Sequence, residues 1–353
     1  MTIRKQAAKP HRPATAATPS SQPGPKSPPL QIPIGSRKSA LALVQTYHVR
    51  DCLQTRNPHT TFPLVTMSTQ GDKVLDVALS KIGEKALFTK ELEVALEAGE
   101  VDLVVHSLKD LPTTLPPGME IGAMLEREDP RDAVVLKDHP DYTGRTLETL
   151  PRGSVVGTSS VRRIAQLSRR FPHLVFQDVR GNLNTRLQKL DDPAGPYAAL
   201  ILAVAGLRRL DWPHRISQIL PEETMLHAVG QGALAIECRS NDQRTLDLVR
   251  PLIHSDTLLR CTAERTLMRE LEGGCSVPLG VYTELVGSGP TRTLRLHALV
   301  ASLDGSQVVE AEIIATIGTT QDPAAAANLG LEVAAIMKAK GAKKLLDSIR
   351  GPK

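Results

Sequence analysis

From Ile32 to Ala205, short apolar segments alternate with segments of helical periodicity, and this alternation constrains the fold more than any other feature. The pattern predicts strands at 32–34, 62–69, 101–108, 174–179 and 198–205, helices at 40–56, 89–97 and 182–190, and a strand–helix unit at 154–171. Leu41, Val44, His48 and Cys52 lie along one side of the first helix. Strands that alternate with helices favour parallel sheets covered by helices. We therefore expect an α/β protein.

The last hundred residues follow a different pattern. A long helix is predicted at 257–272 and a closing helix at 324–339. Between them, residues 293–303 and 308–316 alternate apolar and polar side chains around Asp304-Gly305, which is typical of an antiparallel hairpin. This region is expected to form a small α+β domain.

Residues 1–30 are predicted to be a disordered tail, because they are rich in proline and have no hydrophobic period. They contain five basic and no acidic residues, so the net charge of +5 belongs to the tail and the remainder is neutral. The composition resembles a transit peptide, but the prolines disfavour the amphipathic helix that such peptides need. A second polar, glycine-rich segment, Gly71–Leu87, is predicted to be a mobile lid.

The sequence excludes several classes of protein. The longest apolar run, Ala198–Leu207, is too short to span a bilayer, and no secretory signal precedes the first strand. The four cysteines form no C-x-x-C pair, and no histidine lies at zinc-ligand spacing, so we expect no metal and a reducing compartment. Cys238 and Cys261 are predicted to be buried and inert, whereas Cys275 follows two glycines in an open loop.

Charged residues follow the predicted strands. The strand at 101–108 leads to Ser107, Lys109 and Asp110, and ligands of α/β sheets lie outside the carboxyl ends of strands. Arginines follow four other strands; they are Arg37, the pair Arg162 and Arg163, Arg180, and the pair Arg208 and Arg209. Arginine binds carboxylates in a bidentate manner, so this edge is predicted to bind an anionic ligand. Arg162 and Arg163 oppose the dipole of the helix that they open, and a bound anion would remove that conflict.

Several segments together resemble the hydroxymethylbilane synthase family, also called porphobilinogen deaminases. They run in the family's order from Ile32 to Leu346; they are residues 34–45, 83–92, 105–112, 157–163, 179–182, 203–207, 229–233 and 272–278. The resemblance implies a transferase of tetrapyrrole and haem biosynthesis that condenses four porphobilinogen molecules into hydroxymethylbilane and releases ammonia. It also implies a dipyrromethane cofactor, bound through a thioether to Cys275.

The resemblance implies two periplasmic-binding-protein-like (type II) α/β domains that flank a cleft, and a small C-terminal α+β domain. The expected boundaries are a tail at 1–30, domain 1 at 31–129 and 230–249, domain 2 at 130–229, and domain 3 at 250–353. It further implies a cytoplasmic monomer that binds the small molecule porphobilinogen and neither nucleic acid nor a membrane.

The family match also implies roles for individual residues. Asp110 and Lys109 are the expected catalytic residues. The residues expected to bind the cofactor are Cys275, Lys109, Ser107, Asp110, Ser159, Ser160, Arg162, Arg163, Arg186, Arg209 and Gln231. Those expected to bind substrate are Arg37, Ser39, Gln45, Phe88, Arg180, Asn182 and Arg186.

Two alternative functions share parts of this pattern. A solute-binding module for a polycarboxylate has the same fold, but it needs a signal peptide and no exposed thiol. A nucleic-acid binder would use the arginines on phosphates, but it would usually add stacking aromatic side chains, which are scarce in the basic region.

Overall fold

The computed structural model describes residues 30–69, 71, 89–271, 277–318 and 323–350. The strands are β1 (Leu30–Gln31), β2 (Ile34–Arg37), β3 (Thr60–Thr61), β4 (Leu64–Met67), β5 (Leu103–Ser107), β6 (Met119–Met124), β7 (Asp132–Leu136), β8 (Val155–Gly157), β9 (Val175–Gln177), β10 (Tyr197–Ala203), β11 (Gln218–Ile219), β12 (Leu234–Arg239), β13 (Leu279–Val286), β14 (Thr293–Ala301) and β15 (Val308–Thr316). The helices are α1 (Ala40–Arg56), α2 (Lys90–Glu97), α3 (Val161–Arg170), α4 (Leu183–Asp191), α5 (Val204–Arg209), α6 (Gln243–Val249), α7 (Ser255–Glu270), α8 (Pro323–Ala339) and α9 (Ala342–Arg350).

The first large sheet has the strand order β4-β2-β5-β12-β6. Strand β2 pairs in parallel with β4 and β5, whereas β12 is antiparallel to both β5 and β6. Apolar side chains of α1 and α6 pack on one face, for example Val49 and Leu246, and Leu92 of α2 packs on the other. Burial on both faces explains why β5 is apolar along most of its length.

The second large sheet has the order β11-β7-β10-β8-β9, which repeats the first order when it is read from β9. Strands β8, β9 and β10 are parallel, and β7 is antiparallel to β10 and β11. In each sheet the antiparallel strand is contributed by chain that crosses from the other sheet. Strand β7 is the first strand after the chain leaves sheet one, and β12 is the strand by which it returns.

The third sheet, β13-β14-β15, is fully antiparallel. Helices α7 and α8 pack on it through buried apolar side chains such as Leu267 and Val333. The predicted α/β class with a C-terminal α+β domain is therefore confirmed. Among the described residues, no helix combines the length and apolarity needed to cross a bilayer.

Some sequence predictions need correction. The sheets are mixed rather than purely parallel, since each contains a crossing strand. Helix α1 has its predicted bounds, but it buries Gln45, Thr46, Val49 and Leu53, while Val44 and His48 are exposed. The buried polar side chains are satisfied, because Thr46 donates to Ser36 (2.8 Å) and Gln45 to Ser107 (3.0 Å).

The predicted tail (1–30) and lid (71–87) lie almost wholly outside the described residues. Leu30 is an exception, because β1 pairs with β3 through Leu30 and Thr60. The other exception is Gly71, which is buried.

Candidate active site

The turn after β5 carries Lys109 and Asp110 on a short 3₁₀ helix, Leu108–Asp110. Leu108 and Leu111 are buried on either side of the pair, and the amide of Leu108 donates to the carbonyl of Ala233 (2.9 Å). These anchors leave Lys109 and Asp110 half-buried at the sheet edge. The predicted position of the pair at a strand end is therefore confirmed.

A glycine turn before β12 lies directly behind this 3₁₀ helix. Gly230 has φ of 69°, and a Cβ at this position would lie 2.9 Å from Cγ of Leu108. Glycine is therefore required both by the backbone conformation and by the close approach of the two turns. The predicted glycine turn that leads into a strand is present.

Lys109 interacts across this turn with Gln231, whose Oε1 accepts a 3.4 Å hydrogen bond from Nζ. Burial lowers the pKa of the Lys109 ammonium, Asp110 and Asp132 oppose that shift, and Arg163 and Arg162 reinforce it. The ammonium thus lies within the field of both carboxylates and both arginines.

Arg162 and Arg163 open helix α3 after β8, and both are buried rather than solvated. Both pair with Asp132: Arg162 Nη1 lies 2.8 Å from Oδ2, and Arg163 donates from Nη2 and Nε to Oδ1 (2.6 and 3.1 Å). Arg162 also donates to the carbonyl of Leu226 (2.7 Å) and Arg163 to that of Ile201 (2.6 Å). The expected anion that offsets two cations at the N-terminus of α3 is present, but it is the carboxylate of Asp132 rather than a ligand.

Sequence reasoning missed Asp132, the first residue of β7. Its side chain has 0% exposure. Burial alone would raise the pKa of this carboxyl, but Arg162 and Arg163 outweigh burial and hold the pKa well below its usual range. An acidic residue that opens the apolar run Ala133–Leu136 was the signal available in the sequence. Its partners lie about thirty positions away in the chain, so spacing alone did not connect them.

Gln231 connects the turn after β5 with the edge of the second sheet that carries Asp132 and the arginine pair. This side chain is 1% exposed, and its Nε2 donates to Asp132 Oδ1 (3.0 Å) and to the carbonyl of Pro130 (2.6 Å). Because its Oε1 accepts from Lys109, the contacts run from Lys109 through Gln231 to Asp132 and the arginine pair. The structure therefore brings these predicted site residues together.

Arg186 extends the group of cations. Its Nε donates to the carbonyl of Gly181 (2.8 Å), and burial, with Arg163 and Arg180, lowers its pKa to about 10. Asp110 opposes that shift, so the carboxylate at the end of β5 and Arg186 of the second sheet interact electrostatically.

Arg208 and Arg209 have different surroundings. Arg209 donates to the carbonyl of Gly232 (2.7 Å), and burial lowers its pKa to about 10. Arg208 is 40% exposed and pairs with Glu128 (2.6 Å) and Asp129 (3.7 Å). Arg209 therefore contacts the returning segment before β12, whereas Arg208 contacts the outgoing segment before β7.

The smaller predicted residues mostly have local partners. Gln45 and Ser107 bond each other, and Ser159 donates to the carbonyl of Val179 (2.6 Å). Ser39 and Asn182 cap helices α1 and α4, where their side chains accept from the amides of Ala42 and Thr185. Ser160 precedes α3, which follows β8 of the second sheet, and Arg37 ends β2 of the first sheet.

Cys275 and Phe88 lie outside the described residues. Of the other cysteines, Cys238 and Cys261 are buried, as predicted, and Cys52 is half-buried. Burial raises the pKa of the Cys261 thiol to about 11, so this residue is a poor nucleophile at neutral pH.

Comparison with known proteins identifies the family. A family profile described as "Porphobilinogen deaminase, dipyromethane cofactor binding domain" matches residues 32–247, and one described as "Porphobilinogen deaminase, C-terminal domain" matches residues 258–339. The chain is 57% identical over 323 residues to a porphobilinogen deaminase of Synechococcus elongatus, covering 92% of this chain and 97% of that one. It is 56% identical over 317 residues to one of Gloeobacter violaceus, covering 90% and 93% of the two chains.

Comparison with solved structures gives weaker likenesses. The periplasmic VFT2 domain of Bordetella pertussis BvgS aligns at a TM-score of 0.37 and 13% identity, covering 63% of this chain and 86% of that domain. The BenM effector binding domain with benzoate aligns at a TM-score of 0.38 and 16% identity, covering 63% and 90%.

The sequence matches run along nearly the whole length of enzymes of one kind, so the solute-binding alternative is not favoured. The chain belongs to the porphobilinogen deaminase (hydroxymethylbilane synthase) family, and it is a transferase of tetrapyrrole biosynthesis that acts on porphobilinogen with a dipyrromethane cofactor.

Proposed function

We propose that porphobilinogen reacts between the turn after β5 and the arginines of the second sheet, with Asp110 as the catalytic carboxylate. The observation that carries this proposal is the contact chain Lys109–Gln231–Asp132–Arg163, which joins the two strand-end edges. Asp110 lies beside this chain and influences both Lys109 and Arg186.

Asp110 has a position suited to a cation. Its carboxylate accepts a hydrogen bond from a pyrrole N–H and stabilises the positive charge that develops as ammonia leaves. The same oxygen atoms give a proton to the leaving amine and later accept the proton that the ring carbon loses once the new bond has formed. The ammonium group of Lys109 binds a substrate carboxylate next to Asp110.

The residues present fit a dipyrromethane, because each of its rings carries an acetate and a propionate. Arg162, Arg163, Arg186, Arg209 and Lys109 supply cationic donors, and Ser107, Ser159, Ser160 and Gln231 supply neutral ones. Arg162 Nε is buried and has no hydrogen-bond partner among the described residues, which favours an acceptor from a ligand. When it is attached to Cys275, this group supplies the primer to which the incoming pyrroles are joined.

The incoming substrate is assigned to a second set of residues. We propose that Arg37, Arg180 and Arg186 bind its carboxylates, that Phe88 lies against its ring, and that Ser39, Gln45 and Asn182 assist. Ser39 and Asn182 already cap helices, so each would serve the substrate through the loop whose shape it fixes.

We propose the domain boundaries given above, with β12 returning to domain 1, and a monomer that acts in the cytoplasm without a nucleic-acid or membrane partner. Light scattering on the protein as it elutes from a size-exclusion column measures its molar mass, and the mass of a dimer would contradict the proposed monomer.

The test of the site is cofactor attachment. Intact mass of the purified protein is expected to exceed the sequence mass by one dipyrromethane. Cys275→Ser is expected to lose this excess and all turnover of porphobilinogen, because the family match assigns the thioether to Cys275, and burial raises the pKa of the Cys238 and Cys261 thiols. Cys52→Ser, at a half-buried thiol, is the matched control and should keep both. An adduct that persists in Cys275→Ser, or active wild type without one, contradicts the assignment.

A further inference from the structure

The buried carboxylate of Asp132 links the arginine pair to the two chain segments that cross between the large sheets. We propose that Asp132 is a positioning residue, which fixes the orientation of Arg162 and Arg163 for the cofactor carboxylates and couples that orientation to the crossing segments. The inference rests on the proposed role of the two arginines in cofactor binding.

The hydrogen bonds of Arg163 hold its guanidinium in a single orientation. Nε and Nη2 donate to Asp132 Oδ1 (3.1 and 2.6 Å), and Nη1 donates to the carbonyl of Ile201 (2.6 Å). A guanidinium has five N–H donors in one plane, so contacts at three nitrogen atoms fix that plane. These contacts leave one N–H on each Nη, directed by the protein rather than by the ligand.

Arg162 is held on the other oxygen of the same carboxylate. Its Nη1 lies 2.8 Å from Asp132 Oδ2 and also donates to the carbonyl of Leu226 (2.7 Å), while Nε has no partner among the described residues. Burial lowers the pKa of Arg162, and the neighbouring charge of Arg163 lowers it further. The two guanidiniums therefore repel each other. The shared carboxylate therefore keeps two like charges side by side at a fixed separation.

Asp132 also holds the crossing segments together. It is the first residue of β7, and Gln231 lies three positions before β12. Gln231 Nε2 donates to both Asp132 Oδ1 and the carbonyl of Pro130, and these bonds add to those through which Arg127 and Glu128 join the outgoing and returning segments. Because Gln231 accepts from Lys109, a change at this joint reaches both the arginine pair and the catalytic turn.

The experiment compares Asp132→Asn with Asp102→Asn. Asp102 is the matched control because it is also a buried partner of arginines, Arg239 (2.5 Å) and Arg244 (3.6 Å), but it lies before β5, at the end opposite Lys109. Both variants are expected to lower Tm. Only Asp132→Asn is expected to lower the fraction carrying the cofactor adduct and to raise KM for porphobilinogen about 10- to 100-fold, with kcat of the loaded fraction changed by less than about threefold.

Amide exchange supplies a readout that does not depend on turnover. The amides of residues 131–132 and 231–233 are expected to exchange faster in Asp132→Asn and to be unchanged in Asp102→Asn. Wild-type loading, KM and exchange in Asp132→Asn, with only the Tm loss of the control, would overturn the inference.

Asp132→Glu keeps the proposal testable if Asp132→Asn does not fold. This variant retains the charge and moves the carboxylate by one methylene. A positioning role predicts a folded protein with raised KM, whereas wild-type KM and loading would refute it. Failure of the proposed site is distinguishable, because wild-type protein would then lack the adduct or Arg163→Lys would leave loading and KM unchanged.

Discussion

The two large sheets have the same strand order but present different chemistry at the same edge. In the first, β5 ends in a turn that directs one ammonium and one carboxylate outward between two buried leucines. In the second, the parallel strands β8, β9 and β10 are followed by arginines. On the proposed assignment, one topology thus supports the catalytic carboxylate at one edge and the binding of carboxylates at the other.

The different surroundings of Asp132 and Asp110 show why the arginines and the proposed catalytic carboxylate lie on different sheets. Asp132, in the second domain, is fully buried and held by two guanidiniums. Asp110, in the first, remains half-buried and has no arginine as near neighbour in its own turn. Asp132, placed among the arginines, is part of the scaffold, whereas Asp110 remains half-buried and is the carboxylate proposed to meet the substrate.

The largest expected effect is at the first edge. Asp110→Asn keeps the shape of the side chain and removes its charge and its capacity to move a proton, so kcat is expected to fall about 10⁴-fold or more. Tm and cofactor mass should remain near wild type, because Asp110 contributes little to the core. Steady-state kinetics on mass-verified protein measures this. Turnover within about tenfold of wild type would remove Asp110 from the catalytic role.

Substitutions of the arginines at the edge of the second sheet are expected to weaken the binding of cofactor and substrate rather than to lower kcat. Arg163→Lys loses the planar fork that bonds Asp132 and Ile201, and loss of a charge-assisted bond costs about 1.5–3 kcal/mol. KM should rise or cofactor content should fall, with kcat of the loaded enzyme nearly unchanged. Arg208→Lys is the control, because Arg208 is 40% exposed and pairs with the acidic side chains of Glu128 and Asp129. Equal effects of the two substitutions would end the distinction between the edges.

The smallest expected effect separates backbone strain from contact. Gly230→Ala and Gly118→Ala both place a side chain at positive φ, which costs about 1–2 kcal/mol. At Gly118 nothing lies within 4 Å of the added Cβ, whereas at Gly230 it meets Leu108. Both variants should lower Tm, but only Gly230→Ala should also lower kcat, since it displaces the 3₁₀ helix Leu108–Asp110, which carries the proposed catalytic pair. Thermal melts and kinetics together decide this, and equal kcat in the two variants would count against the coupling of the turns.

The sequence predicted elements well where local chemistry dominates. Helix α1 begins after a Ser39 cap and has its predicted bounds, and the hairpin β14–β15 forms around Asp304-Gly305 as expected. The apolar run 198–205 was predicted as one strand, but it ends at Ala203 because Val204–Arg209 forms a helix. Both elements are apolar and buried there, so hydrophobicity does not separate them.

The site was predictable at strand ends and unpredictable where partners are distant. The positions of Lys109, Asp110 and Arg163 followed from the strand pattern. The role of Asp132 did not, because it depends on an arginine pair about thirty residues later and on a glutamine almost a hundred residues later. The buried side of α1 was missed for a related reason, since hydrogen bonds from another strand make Gln45 a buried residue.

The exchange of strands has a consequence for synthesis on the ribosome. Strand β12 lies between β5 and β6, so the first sheet lacks an inner strand until residues 234–239 have emerged. Until then β5 and β6 have unpaired backbone groups along facing edges, and such edges invite pairing with other chains. The amino-terminal domain, although translated first, can close only after the domain encoded behind it has left the exit tunnel.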